Sequence, residues 1–253
     1  MKTTSKPLII GNWKMHKTVP EARDFIRRLE EILPTLTDRE VVIAPPFTAL
    51  LAVAGMTVGT SIKVSAQNLH WEEKGAFTGE VSAAMVADCG CEYVIIGHSE
   101  RRTLFGETDE TVNRKTRTAL ANGLRPVICV GETLAERESD ATLTVVATQI
   151  KEGLKGIPFD GIRRVVIAYE PVWAIGTGKT ATPGQAQEVH RFIREDIEKA
   201  YTKDVADGLP ILYGGSVHPD NIDYLMAERD IDGVLVGGAS LDAESFARII
   251  LFE

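Results

Sequence analysis

The chain has 253 residues, of which 44% are hydrophobic and 25% are charged, and its formal net charge at pH 7 is −8. This composition is typical of a globular protein with a large core, and the acidic balance argues against binding to nucleic acid or to an anionic membrane, since such surfaces need clustered Lys and Arg. No apolar stretch approaches the roughly 20 residues of a membrane span, and residues 1–6 lead straight into a short strand-like run. We therefore expect a cytoplasmic protein.

The three cysteines give no sign of a disulfide framework or a metal site. Cys89, Cys91 and Cys129 are an odd number, so they cannot all pair. A Cys-x-Cys spacing without a nearby His or further Cys is a poor zinc motif. We expect buried or partly buried free thiols.

Short β-branched runs alternate with amphipathic stretches along the whole chain. The runs predict eight strands, over residues 8–12, 40–44, 62–67, 93–97, 125–130, 164–169, 211–214 and 233–236. The stretches between them predict helices, among them 21–33, 110–121, 144–154, 183–200, 219–227 and 243–251, with Pro183 and Pro219 at helix starts.

This strict alternation predicts an α/β fold with parallel strands and right-handed crossovers. Eight such units favour closure into a single (β/α)8 barrel, one catalytic domain over residues 1–253. No Pro- or Ser-rich linker divides the chain. A doubly wound open sheet is the alternative fold. A barrel would place its active site at the C-terminal ends of the strands, which makes the residues that follow each strand the candidates.

The first predicted strand ends in Asn12 and is followed by Trp13 and Lys14. A lysine at this position can reach over the mouth of a barrel as a fixed cation, and Asn12 can hydrogen-bond the lysine or a ligand. Taken alone, Lys14 is also explained as an exposed lysine in a surface salt bridge.

The fourth predicted strand is followed by His98, Ser99 and Glu100, which are typical of a glycine turn and the first turn of a helix. Backbone N–H groups and the positive end of a helix dipole near the ring of His98 would favour a neutral imidazole, which can donate a hydrogen bond to a carbonyl. The alternatives are a structural histidine and a helix-capping Glu100.

The sixth predicted strand leads into Glu170, a possible base at the start of a loop that is able to close. Pro171 fixes φ at one end of residues 171–180, and Gly176 and Gly178 loosen the other end. Such a segment suits an active-site lid, because closure excludes water. The alternative is a solvated acid before an ordinary turn.

Residues 178–180 are Gly-Lys-Thr, which is also how a nucleotide-binding P-loop ends. A P-loop would need a glycine at position 173, where the chain has Trp173, and a dinucleotide fingerprint would need one at position 181, where it has Ala181. Neither motif is present.

Paired glycines follow the last two predicted strands, at Gly214–Gly215 and at Gly237–Gly238. Such pairs let backbone N–H groups approach an anion closely, at the position where barrels commonly bind phosphate. The pairs therefore predict a phosphate-bearing ligand.

Together these segments resemble the triosephosphate isomerase family, over essentially the whole length of the chain. The motifs that carry the resemblance are residues 11–15 (Gly-Asn-Trp-Lys-Met), 67–68, 75–80, 97–102 (Gly-His-Ser-Glu-Arg-Arg), 168–178, 213–217 (Tyr-Gly-Gly-Ser-Val) and 237–240. The resemblance implies a TIM barrel that interconverts dihydroxyacetone phosphate and D-glyceraldehyde 3-phosphate through an enediolate, in glycolysis and gluconeogenesis, without cofactor or metal.

The resemblance also implies a role for each residue that matches a family motif. Glu170 would be the catalytic base, His98 the electrophile and Lys14 the cation beside the developing negative charge. The substrate-binding residues would be Asn12, Lys14, Gly176, Ser216, Gly237 and Gly238. The supporting residues would be Ser99 and Glu100, which hold His98 and Lys14, and Cys129, which packs near Glu170.

Residues 71–80 resemble the family's protruding loop, which inserts into a second subunit and brings Thr78 towards the partner's site. The resemblance thus implies a homodimer; the alternative is a loop folded on its own subunit. The chain departs from the family in Phe77, where a Tyr is common, and in its Cys89-Gly90-Cys91 run, and neither departure touches the catalytic residues.

Two rival functions are another phosphate-binding barrel enzyme, such as a sugar-phosphate lyase or epimerase, and a non-catalytic protein that kept the fold. The first should lack the lid and the set of Lys14, His98 and Glu170, and the second should have lost at least one of these side chains.

Overall fold

A computed structural model describes residues 6–175 and 180–253 of the chain. Within these residues, eight strands alternate with helices. The strands are β1 (Leu8–Asn12), β2 (Glu40–Ala44), β3 (Ile62–Ala66), β4 (Tyr93–Ile96), β5 (Arg125–Val130), β6 (Val166–Tyr169), β7 (Ile211–Tyr213) and β8 (Gly233–Val236).

The strands form one closed parallel barrel. Each strand pairs in parallel with the next along the chain, and β1 closes the barrel against β8, with Ile9 opposite Val234. This arrangement confirms the predicted (β/α)8 barrel and excludes the doubly wound open sheet.

Alternation along the strands divides the apolar core into two layers. Side chains such as Leu8, Ile10 and Val42 fill the inside of the barrel, and they form an apolar cluster of their own. Their neighbours Ile9, Val41 and others pack outward against the helices in a second, larger cluster. Because successive side chains of a strand point to opposite faces, strands buried on both faces read as continuous apolar runs, as the sequence does here.

Twelve α-helices surround the barrel in the described part of the chain. They are α1 (Val19–Ile32), α2 (Phe47–Met56), α3 (Ala83–Asp88), α4 (Ser99–Phe105), α5 (Asp109–Ala121), α6 (Leu134–Glu138), α7 (Thr142–Gly153), α8 (Phe159–Ile162), α9 (Pro183–Ala200), α10 (Lys203–Gly208), α11 (Ile222–Ala227) and α12 (Ala243–Ile250). None of the described helices is long and apolar enough to cross a membrane.

The long helices begin where local sequence signals are strong. At the start of α9, the Thr182 side chain accepts the backbone N–H of Gln185, and the Gln185 side chain accepts the N–H of Thr182. This reciprocal pairing satisfies two backbone donors that the helix itself leaves free, and Pro183 at the first helical position loses no bond. The predicted bounds of α9 agree with the structure for this reason.

The predicted start of α11 at Pro219 is wrong, since the helix begins at Ile222. The Asn221 side chain accepts the backbone N–H of His218, and the Asn221 N–H donates to the His218 carbonyl. Residues 218–221 therefore form a turn. A proline is as well suited to that turn as to the first turn of a helix.

Candidate active site

A cavity of about 320 Å³ opens at the C-terminal ends of the strands. Its lining brings together most of the site residues predicted from the sequence, namely Asn12, Lys14, His98, Glu170, Ser216, Gly237 and Gly238. Gly176, also predicted to bind substrate, lies outside the described residues. A larger groove of about 860 Å³ runs between α7 and α9 on the outside of the barrel and contains none of these groups.

Lys14 is held by amide side chains in a strained backbone conformation. Its φ is 51°, a left-handed value that costs a non-glycine residue about 1 to 3 kcal/mol. The Asn12 side chain accepts the Lys14 backbone N–H at 3.0 Å, and the Gln67 Nε2 donates to the Lys14 carbonyl at 2.9 Å. The Lys14 Nζ donates to Glu100 Oε1 at 2.6 Å. Asn12 and Gln67 therefore fix the backbone, and Glu100 fixes the charged end.

His98 caps α4 with its own ring. Its Nδ1 accepts the backbone N–H of Glu100 at 3.2 Å, so a neutral ring carries its proton on Nε2. That Nε2 lies 3.0 Å from Glu170 Oε1. The helix start thus orients an N–H donor into the cavity, which is the tautomer that a hydrogen bond to a carbonyl requires.

Glu170 follows β6 and is 2% exposed. Its Oε1 faces His98, and its Oε2 accepts the backbone N–H of Ser99 at 2.8 Å. Ser99 thus binds Glu170 through its N–H, whereas Glu100 contacts both His98 and Lys14. Ser99 therefore holds the acid, and Glu100 holds the imidazole and the ammonium group.

Burial and pairing act in opposite directions on the pKa values of Glu170 and His98. Burial would raise the pKa of Glu170, but the charge and hydrogen bond of His98, with the Ser99 N–H, lower it below its usual range. Burial would lower the pKa of His98, but the Glu170 carboxylate raises it. The expected neutral imidazole is thus supported by the hydrogen bond at Nδ1 and opposed by the carboxylate at Nε2.

Cys129, at the end of β5, is fully buried next to Glu170. Burial raises the pKa of its thiol well above the usual value, and the charge of Glu170 raises it further. The thiol is therefore protonated and lies against the carboxylate of Glu170.

The glycine pairs after β7 and β8 allow neighbouring groups to come close. A Cβ on Gly214 would lie 2.9 Å from Cγ of Glu170, and one on Gly237 would lie 3.5 Å from Cε of Lys14. A Cβ on Gly238 would meet no atom within 4 Å. The Gly214 backbone therefore lies against Glu170 and the Gly237 backbone near Lys14, with open space in front of Gly238.

The first residues of the predicted lid are anchored by an acid that the sequence analysis missed. Glu132, which is 0% exposed, accepts hydrogen bonds from the Tyr169 hydroxyl at 3.1 Å and from Trp173 Nε1 at 2.8 Å. Residues Val172–Ala174 form a single 3₁₀ turn after Pro171. Glu132 follows β5 by two positions, so the rule that placed Glu170 at a strand end would also have found Glu132. The rest of the predicted hinge, residues 176–179, lies outside the described residues.

A second buried group that the sequence analysis missed lies behind His98. Glu107 accepts the Gly97 N–H at 3.1 Å and pairs with Lys115, and Lys115 also donates to Asn68 at 2.7 Å. These residues come from separate elements, and no local pattern marks them. Within residues 6–175 and 180–253, no cluster of three or more His, Cys, Asp or Glu side chains is arranged to hold a metal ion.

Comparison with known proteins gives a match that covers nearly the whole chain. The family model described as triosephosphate isomerase matches residues 7–253. A curated protein named triosephosphate isomerase from Moorella thermoacetica is 57% identical over 248 residues, 98% of this chain and 99% of that protein. Proteins of the same name from Pelobacter propionicus and Chloroflexus aurantiacus are 57% and 56% identical, each over 247 residues and 98% of this chain, covering 98% and 99% of their own lengths.

Proposed function

The chain belongs to the triosephosphate isomerase family, and from that premise we propose that Glu170, His98 and Lys14 carry out its reaction. The reaction is the interconversion of dihydroxyacetone phosphate and D-glyceraldehyde 3-phosphate, an aldose–ketose isomerisation (EC 5.3.1.1) in glycolysis. The observation that carries the assignment is the 3.0 Å approach of Glu170 Oε1 to His98 Nε2 inside the cavity that Lys14 also lines.

Glu170 is the base that moves the proton between the two carbons. It takes a proton from C1 of dihydroxyacetone phosphate, the C–H electrons form the C1–C2 double bond, and the carbonyl electrons move to the oxygen on C2. Returning the proton to C2 gives the aldehyde. Because this C–H is weakly acidic, a carboxylate in a dry pocket is favoured over one in water.

His98 and Lys14 stabilise the enediolate. The Nε2–H of His98 donates to the oxygen that gains charge, and the same nitrogen then accepts the hydroxyl proton of C1, so that the two oxygens exchange roles. The Lys14 ammonium, held beside Glu100, lies close to this charge. Donors and cations fixed before the reaction lower the barrier because they need no reorganisation.

The resting contacts of Glu170 have to break before it acts. The carboxylate is bound to His98 and to the Ser99 N–H, and both contacts lower its pKa. A substrate carbonyl that takes the Nε2–H of His98 frees the carboxylate and makes it a stronger base. Closure of residues 171–180 would exclude water at the same step and protect the enediolate from loss of phosphate.

We assign the phosphate to the glycine-rich side of the cavity. Ser216, Gly237 and Gly238 line the same cavity as Glu170, and Gly176 completes the group on the basis of its family motif. Backbone N–H groups at such turns bind anions without a cationic side chain. Asn12 is 6% exposed and supports Lys14 beside them.

We also propose that the enzyme works as a homodimer. Residues 73–80 are exposed, as are Met15, Phe47 and Phe105, which border a second cavity of about 270 Å³ next to Lys14 and His98. An exposed apolar rim beside a catalytic lysine is suited to a protruding loop from a second copy. Thr78 at the tip of residues 71–80 would then approach the partner's site.

The remaining parts of the proposal follow from the family. We assign the whole of residues 1–253 to one catalytic domain that acts in the cytoplasm on small triose phosphates, with no nucleic acid or membrane as partner. The reaction needs no metal and no cofactor, since the proton moves between groups of the protein and substrate.

The test replaces Glu170 by Gln and follows isomerisation in a coupled assay in metal-free buffer. Glu170→Gln should lower kcat by about 10³-fold or more, because general base catalysis is removed while the shape is kept. Inorganic phosphate should still inhibit the residual activity. The matched control is Glu138→Gln, a change at an exposed glutamate, which should retain parental kcat. Parental turnover in Glu170→Gln, or loss of parental turnover after chelation, would contradict the proposal.

A further inference from the structure

Gln149 on α7 makes both of its side-chain hydrogen bonds to one backbone unit. The N–H of Gly131 donates to Gln149 Oε1 at 2.7 Å, and Gln149 Nε2 donates to the Gly131 carbonyl at 3.1 Å. The amide of Gln149 therefore pairs with Gly131 as a neighbouring strand would, just after β5 has ended. A primary amide is well suited to this pairing, because it has a donor and an acceptor at one end.

Gly131 lies directly against the backbone of Glu170. A Cβ on Gly131 would be 1.7 Å from the carbonyl oxygen of Glu170 and 2.6 Å from its carbonyl carbon. Two backbone hydrogen bonds of the kind that join parallel strands flank the contact. The Glu170 N–H donates to the Val130 carbonyl, and the Val172 N–H donates to the Glu132 carbonyl. A shift of the Gly131 backbone would therefore push on the backbone of Glu170.

We propose that Gln149 is a positioning residue for Glu170, which acts through Gly131. It is absent from the cavity lining and does not contact His98, so it is not a catalytic residue. Its amide holds the N–H and the carbonyl of Gly131 in the orientation that leaves room for the Glu170 carbonyl. The Glu170 backbone is thereby fixed while its carboxylate exchanges the resting contacts for the substrate. The proposal rests on the role of Glu170 given above.

Two variants remove either both hydrogen bonds or only the bond to the Gly131 carbonyl. Gln149→Met keeps the length of the side chain and removes both bonds. Gln149→Glu keeps the acceptor for the Gly131 N–H but, when ionised, sets a negative oxygen against the Gly131 carbonyl. On protonation the new carboxyl gains an O–H donor and can restore the second bond. A glutamate ordinarily titrates at about pH 4.3, and proximity to a carbonyl raises that pKa.

The experiment measures kcat, KM and thermal stability of these variants between about pH 8 and about pH 5. Gln149→Met should lower kcat by about tenfold at every pH, with KM changed by less than about twofold, because the base is displaced while the phosphate wall is untouched. Gln149→Glu should show a similar loss at pH 8, and its kcat relative to the parent should recover as the pH falls. A role in stability alone would not produce that recovery.

A matched control is available in Gln187 on α9. Its Nε2 donates to Asp230 Oδ2 at 2.6 Å and its Oε1 accepts the Asp230 N–H at 2.9 Å, so it makes a similar two-bond pairing away from Glu170. Gln187→Met should lower stability and leave kcat at the parental value. An equal fall in kcat in Gln187→Met and Gln149→Met, or parental kcat in Gln149→Met, would overturn the proposal.

A double variant separates this inference from the role of Glu170. When Glu170→Gln is already present, Gln149→Met should add less than about a twofold further loss, because there is no base left to position. Parental activity of Glu170→Gln alone would reject the base. An inactive Glu170→Gln together with an additive Gln149→Met loss would keep the base and reject the positioning role.

Discussion

At the scale of single residues, the proposed base is held in a hydrogen-bonded form with a lowered pKa. Glu170 is bound by His98 and by the Ser99 N–H, and both contacts lower its pKa. His98 in turn accepts the Glu100 N–H, which fixes the position of its proton. The same short turn after β4 thus orients the ring of His98 and binds the carboxylate of Glu170.

The open space in front of Gly238 gives a residue-scale prediction. A Cβ there would meet no atom within 4 Å, so Gly238→Ala should fold normally while its methyl group occupies space that we assign to the phosphate. We expect KM to rise by about tenfold with a smaller change in kcat, since substrate binding is affected more than the base. Gly208→Ala, also at a glycine with free space around it, is the control for steady-state kinetics. An unchanged KM in Gly238→Ala would argue against this phosphate position.

Because His190 is buried, we expect it to make the stability of the folded chain fall at acid pH. Burial lowers its pKa from 6.5 to about 3. Since the unfolded chain binds the proton more readily than the folded chain, stability should fall as the pH drops from about 6.5 towards about 3, by up to about 5 kcal/mol over the whole range.

The comparison is between the parent and His190→Phe in urea unfolding at pH 7 and pH 4.5. His190→Phe should lose some stability at pH 7, where its bond to the Asp230 carbonyl is gone, and should lose less than the parent on acidification. Equal losses on acidification in both proteins would mean that His190 does not titrate as its burial requires.

At the scale of elements, the strand ends organise the site. Lys14 follows β1, His98 follows β4 and Glu170 follows β6, and closure of the barrel brings these distant segments to one rim. Each of the three is then held by its immediate surroundings. Lys14 has a left-handed backbone conformation, His98 caps α4, and the Glu170 backbone lies against Gly131. The barrel fixes distances between strands, and these short turns orient the side chains.

Glu132 provides the prediction at this scale, because it joins the ends of β5 and β6 to the start of the predicted lid. Glu132→Gln should lower the free energy of unfolding by roughly 1 to 3 kcal/mol, since the amide carries no charge to pair with Arg137 and keeps one acceptor oxygen where the carboxylate offers two to the Tyr169 hydroxyl and Trp173 Nε1. Urea unfolding followed by circular dichroism measures it, with Glu138→Gln as the exposed control. A stability equal to that of the control would show that these bonds contribute nothing net.

Much of this organisation could be predicted from the sequence, for local reasons. The strands are buried on both faces, so their apolar runs mark β1, β2, β5 and β8 at the bounds observed. The helices α2, α3, α6, α8 and α10 were not predicted, because they are short or, in α2, apolar on nearly every face. Short helices form through contacts with the barrel rather than through their own periodicity.

The parts of the site that could not be predicted depend on long-range contacts. Gln149 lies 18 residues from Gly131 and Lys115 lies 47 residues from Asn68, and nothing near either residue indicates its partner. Ser99 was expected to support His98, but its backbone N–H binds Glu170, 71 residues away. The residue types at strand ends are visible in the sequence, whereas the atoms that hold them become apparent only in the folded chain.

At the scale of the whole molecule, the surface beside the site carries exposed apolar side chains. Met15 is 93% exposed although it adjoins Lys14, and Phe105 at the end of α4 is 68% exposed. His70 stacks on Trp71 and contacts Phe77, so this loop is held by its own ring contacts while residues 73–80 remain exposed. An exposed loop and an exposed apolar rim on one chain are the two surfaces that the proposed homodimer would bring together.

Shortening residues 71–80 tests this arrangement. We expect monomers in sedimentation at micromolar concentration and kcat lowered by about tenfold or more, because Lys14 and His98 lose the support of the neighbouring loop. In a mixed dimer with the parental protein, the site of the parental subunit should stay impaired, because the shortened subunit brings no loop to it. A fully active monomer would refute the coupling between assembly and catalysis, and a dimer with parental activity would place the interface elsewhere.

The proposed transfer of a proton by Glu170 through an enediolate can be followed by isotope labelling. Dihydroxyacetone phosphate is isomerised in D₂O, and the product is examined by proton NMR. We expect the parental enzyme to place deuterium on C2 of glyceraldehyde 3-phosphate, because the proton held by Glu170 exchanges with solvent, and we expect Glu170→Gln to slow both isomerisation and labelling by about 10³-fold. Rapid isomerisation without any deuterium in the product, or labelling at the parental rate in Glu170→Gln, would contradict the proposed transfer.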